Sequence, residues 1–90
     1  MSTFEQNEKL AKVCSDVQAK FEKINADGRF NDIISKLEYV IVSYHADKNP
    51  VGLFEIGEMA LRQLKAYKEE KPKQVAQKLI DDLEKALSVK

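Results

Sequence analysis

Apolar residues recur along this chain at helical spacing, in four stretches separated by three short polar breaks. Leu10, Cys14, Val17, Phe21 and Ile24 lie 4, 3, 4 and 3 residues apart, which places them on one stripe of an α-helix. Ahead of them, "STFEQ" offers two overlapping capping boxes, Ser2 with Glu5 and Thr3 with Gln6, so the first helix is expected to start there. "NADG" ends it: Asn25 and Asp27 favour turns, and Gly28 tolerates a left-handed cap.

A second helix is expected from about Arg29 to Tyr44. Phe30, Ile33, Ile34, Leu37, Val40, Ile41 and Tyr44 fit one of its faces. "YVIVSY" has the content of a strand, but the 3.6-residue pattern runs well beyond those six residues, and a lone strand would have no partner. After the break "HADKNP", Asn49 suits an N-cap and Pro50 a first helical residue, since the N–H that proline lacks is unpaired there anyway. The third helix runs to about Glu70. Leu53, Gly57, Ala60, Leu61, Leu64 and Tyr67 share its face, with Phe54 and Ile56 on the edges. Its polar arc, Glu55, Glu58, Arg62 and Lys65, is narrow, which predicts the most buried of the four helices. "KEEKPK" is the last break, and Pro72 is expected to open a fourth helix carrying Val75, Ala76, Leu79, Ile80, Leu83 and Leu87. Four stripes and three short connections predict an all-α, antiparallel up-down four-helix bundle, with residues 1–90 as a single domain.

Charge narrows the functional classes. Fifteen basic residues balance fifteen acidic ones, and no segment carries the basic excess of a nucleic-acid footprint. No nucleic-acid partner is therefore expected. Cys14 is the single cysteine, so no intrachain disulfide can form, and a reduced, cytoplasmic setting fits. "MSTFEQNEKLAK" has no apolar core of a signal peptide. No apolar run approaches the ~18 residues that cross a bilayer, so direct membrane insertion is not expected.

Two of the three glycines, Gly52 and Gly57, sit close together in "DKNPVGLFEIGEM". "GLFEIG" has the spacing of a phosphate loop, but Glu58 and Met59 stand where that loop needs lysine and a hydroxyl, and no strand precedes it. Gly57 is better read as a packing surface that admits a neighbouring helix. His45 is the only histidine, too few for a zinc site, and reads as a solvated loop residue. Cys14, on the core stripe, reads as a small buried hydrophobe. No cluster of titratable groups suggests an enzyme, and no cofactor or metal is expected. Asp81 and Asp82 read as a solvated pair. Two places could receive a partner. Tyr39 and Val42 lie about 160° and 140° from Leu37 at 100° per residue, on the side of the second helix away from its core stripe. Lys65, Lys68, Lys71 and Lys73 gather around Tyr67 in "KAYKEEKPKQ". That group could meet anionic lipid, or simply be the solvated positive end of a helix.

The layout resembles the immunity proteins of pediocin-like bacteriocins, the enterocin A type. "FNDIISKLEYVIVSYH" leads to the break "DKNP", then to a long apolar helix, a short lysine-rich turn and "QVAQKLIDDLEKAL". Many members are basic and carry a tail beyond the last helix, whereas this chain is neutral and runs to Lys90. The resemblance implies a cytosolic four-helix bundle that protects a producing bacterium by acting on a toxin-bound membrane receptor, a sugar permease. It implies no catalytic residues. The partner is then a permease–bacteriocin complex. The other reading is an adaptor or structural bundle whose partner is a different protein or a second copy in a homodimer.

Overall fold

The computed structural model describes residues 3–89. Four helices follow in order: α1 (Phe4–Ile24), α2 (Asn31–Asp47), α3 (Val51–Glu70) and α4 (Gln77–Leu87). Each packs against its neighbour in sequence, α4 closes back onto α1, and α1 and α3 touch across the diagonal. Side chains at the helix ends show the antiparallel order. Phe21, late in α1, meets Phe30 at the head of α2 with ring centroids 4.8 Å apart. Glu8, early in α1, meets Tyr44 near the end of α2. Arg29 reaches from before α2 to Glu70 at the end of α3, 3.2 Å away. The 21 residues of α1 span about 31 Å at 1.5 Å per residue, close to the 34 Å long axis of the molecule. The bundle is thus one helix long, the up-down four-helix architecture expected.

Local chemistry sets the ends. Thr3 caps α1: its Oγ1 accepts from the Gln6 N–H at 3.2 Å, while Gln6 Oε1 accepts from the Thr3 N–H at 2.8 Å. The alternative cap, Ser2, lies outside the described residues. Asn25 is the C-cap of α1. Its Oδ1 accepts from the Phe30 N–H at 2.9 Å and its Nδ2 donates to Asn31 Oδ1 at 2.7 Å, so one side chain clasps both ends of the turn. Gly28 is left-handed at φ +84, but inside the turn rather than as the cap.

Three boundaries differ from expectation. α2 continues to Asp47, and the chain turns at Lys48, a non-glycine residue at φ 58. His45 is therefore an exposed residue of α2's last turn, not a loop residue. Pro50 is the N-cap of α3 rather than its first residue, while Asn49 Oδ1 still accepts from the Val51 N–H at 3.1 Å. Pro72 opens no helix, since α4 begins five residues later at Gln77. Val75 is buried from within the turn, and Ala76 is the exposed N-cap.

The core stripes are those expected. Leu10, Cys14, Val17, Phe21, Leu37, Leu53, Ala60, Leu64 and Leu83 are fully excluded from solvent. Full burial of each large side chain stabilises by about 1.5–3 kcal/mol relative to exposure. Phe54 is buried rather than on an edge, and Ala86 joins the α4 stripe. α3 is not the most buried helix: α1 buries seven residues and α3 five. Gly57 lies where α3 meets α4 and α1. A Cβ placed there would stand 3.0 Å from Leu87 Cδ2 and 3.7 Å from Cys14 Sγ.

Candidate interaction surface

α2 turns Ile33, Leu37 and Tyr44 into the core. Helical geometry therefore sends Ser35, Tyr39, Val42 and Ala46 outward, and all four are exposed. Tyr39 keeps 69% of its surface in solvent and Val42 63%. These four outward positions carry no charge, in a chain of which 33% is charged; Asp32, a turn earlier on the same face, is exposed and paired with Lys36. The 4, 3, 4 spacing of the four forms a second seam on α2, opposite the core seam. Exposed large apolar side chains grouped on one face mark interaction surfaces more often than scattered ones.

Beside this seam runs a groove of about 370 Å³ between α2 and α3, lined by Ser35, Lys36, Tyr39, Val40, Gly52, Glu55 and Ile56. α3 lies close against α2 here, since a Cβ on Gly52 would stand 3.0 Å from Val40 Cγ1. Tyr39 stands at the rim. Lys36 is drawn along its own helix by Asp32 at 3.0 Å.

The lysine group around Tyr67 is not assembled. Lys65 turns to Glu84 of α4 at 3.0 Å. Lys68 Nζ donates to the Val75 carbonyl at 2.8 Å and to that of Pro72 at 3.4 Å, closing the α3–α4 turn. Lys71 and Lys73 remain exposed in that turn. Tyr67 itself is half-buried, edge-on to Phe30 at 5.5 Å. Two of the four ammonium groups thus hold the fold together, and the patch is dispersed.

Lysines meet elsewhere, along a groove of about 460 Å³ between α1 and α4, where Lys9, Lys12, Lys78 and Lys85 stand with Asp16 and Asp82. Sequence spacing does not reveal this group, because half comes from each of two helices. Phe4 and Val51, two further exposed apolar residues, also lay outside the sequence reading.

At the end of the bundle where α2 turns into α3, the Tyr44 hydroxyl donates to Glu8 Oε2 at 2.5 Å, and Lys48 Nζ stands 3.4 Å from the same oxygen. The Lys48 ammonium also lies 5.1 Å from the Tyr44 ring centre and 5.7 Å from that of Phe4. The Tyr44 bond, with help from Lys48, holds the Glu8 carboxyl below its ordinary value of 4.5. Burial, then the Glu8 carboxylate, pushes the Tyr44 phenol up to about 12. Burial likewise pushes the Cys14 thiol up to about 12, far from the reactive thiolate range. Among the described residues no three histidine, cysteine, aspartate or glutamate side chains converge as metal ligands. No helix among them is long and apolar enough to cross a membrane. No protein family, curated protein or solved structure matches this chain.

Proposed function

We propose that this protein is a non-catalytic, cytoplasmic binding module that docks another protein on the outward face of α2. The observation that carries this reading is the run Ser35, Tyr39, Val42 and Ala46 on that face, uncharged beyond Asp32 at its start. Its two large side chains are exposed while the other large apolar residues of α2 are buried or partly buried. A tyrosine anchor within a polar rim is the composition that protein interfaces favour. The reading needs no cofactor, no metal and no nucleic acid.

The resemblance to pediocin-type immunity proteins supplies the specific version, in which the docked partner is a sugar permease carrying a bacteriocin. Expression in a bacteriocin-sensitive strain tests it. The intact chain should raise the toxin concentration needed to kill. Tyr39→Glu with Val42→Lys should abolish protection while the melting temperature stays within a few degrees, because both residues are exposed. No protection against any of a panel of pediocin-like bacteriocins would remove the immunity version. Undiminished protection by the double variant would remove the α2 face.

A further inference from the structure

We infer that the outward face of α2 is self-complementary and pairs with a second copy of this chain, antiparallel about a two-fold axis. The inference rests on the reading of that face as an interface and names its occupant. Beyond Asp32, which is held by Lys36 at the start of the helix, the seam runs Ser35, Tyr39, Val42, Ala46: small, large, large, small. The order of sizes is the same from either end. A two-fold axis between Tyr39 and Val42 sets Tyr39 of each copy against Val42 of the other, and Ser35 against Ala46. Closed two-fold dimers require this property, since one patch must fit itself. A patch evolved for an unrelated partner has no reason to read the same in both directions. The 4, 3, 4 spacing is that of a coiled-coil seam, so two α2 helices can lie along one another with their side chains interlocked.

The flanks agree with the same axis. In an antiparallel pair, like flanks face each other. On one flank Glu38 of each copy comes beside His45 of the other, an acceptor against a donor. On the other, Lys36 comes beside Ser43, with no acidic or basic group repeated across the axis at either level. Glu38, His45 and Lys36 are all exposed. Each Tyr39 borders the α2–α3 groove that Val40 and Ile56 also line, so the apolar lining of that groove continues into the seam. One helix seam is a small interface beside the roughly 800 Å² per partner of a standard complex. The dimer therefore dissociates on dilution, which leaves the face available to another protein.

Sedimentation equilibrium of the full chain, from micromolar to millimolar protein, tests this. The expected result is a monomer–dimer equilibrium that ends at dimer. Tyr39→Lys with Val42→Lys, which sets like charges against each other across the axis, should be monomeric throughout with an unchanged melting temperature. Glu38→Lys should weaken association at least several-fold, and adding His45→Glu to it should restore the pairing by exchanging the two partners. A chain monomeric at the highest concentration overturns the proposal, as does a dimer that the double variant leaves intact. Self-association and the broader function separate cleanly. A monomeric wild type whose double variant still loses bacteriocin protection means that the face serves a different protein. A dimeric wild type whose monomeric double variant protects fully means that the pairing stands and the face is not the functional docking site.

Discussion

Gly57→Leu is expected to destabilise the bundle through one identifiable neighbour. A Cβ at this position already stands 3.0 Å from Leu87 Cδ2, inside the ~3.5–4.0 Å at which carbon pairs are most favourable. Leucine adds three more carbons in a buried site bounded by Leu87 and Cys14. Overpacking of this kind costs about 1–3 kcal/mol. For a domain of this size that is a fall of roughly 5–20 °C in melting temperature. Gly57→Ala differs. It gains up to ~1 kcal/mol of helix propensity, and the atom it presses is the tip of a flexible side chain in the last residue of α4. The two terms offset, so Ala should melt within a few degrees of wild type. Thermal melts of Gly57→Leu, Leu87→Ala and the double variant complete the test. Removing Leu87 makes the room that leucine at position 57 needs, so the double variant should be more stable than the sum of the singles, by about 0.5–3 kcal/mol of coupling. An unchanged melt for Gly57→Leu, or strict additivity with Leu87→Ala, would refute this account of the contact.

Three further outcomes are expected. Cys14 should resist a thiol reagent in the native protein and react at the rate of a free peptide thiol in denaturant, because it is fully buried with its pKa pushed up to about 12. Stability should fall as pH drops below about 4.5: Glu8 titrates below that ordinary value when folded, so its contribution is complete above it and is lost as the carboxylate protonates. Melting temperature against pH should show this acid limb, and Glu8→Gln should flatten it. Asn7 is buried, and its Oδ1 has no hydrogen-bond partner among the described residues. Asn7→Leu should therefore stabilise by on the order of 1 kcal/mol, the cost of desolvating an unpaired polar group. A lower melting temperature for this variant would show that the amide is satisfied in solution.

The core was legible in the sequence because burial selects apolar residues and helices repeat them every 3.6 positions. That same rule explains where the reading slipped. Val75 is apolar and in phase with Leu79 because it is buried, yet it reaches the core from a turn, so the stripe made α4 seem to begin near Pro72. Periodicity reports burial and only by inference helicity. Proline was read twice as a helix opener, but at Pro50 it is the cap and at Pro72 it belongs to a turn. The left-handed Lys48 carries no sequence signal, since lysine has no preference for that conformation and Asn49 beside it does. The outward seam of Tyr39 and Val42 could be read from angle alone. The fate of the lysines could not: Lys65 meets Glu84 from another helix, and the α1–α4 group exists only once two helices lie side by side.

α4 has eleven residues, fewer than the roughly 12–15 below which an isolated helix is marginal in water. Its helicity is therefore a result of docking Ile80, Leu83 and Leu87, and undocking and unwinding are one event. Such a segment opens at a lower free energy than the whole domain. Amide hydrogens of α4 should then exchange with solvent as a block, ahead of those of α1 and α3. The surface that opens includes Gly57, which faces Leu87 and has Cys14 beside it. With Cys14 seated beside that contact, native-state labelling of its thiol no faster than exchange of the α4 amides would tie its exposure to departures of α4.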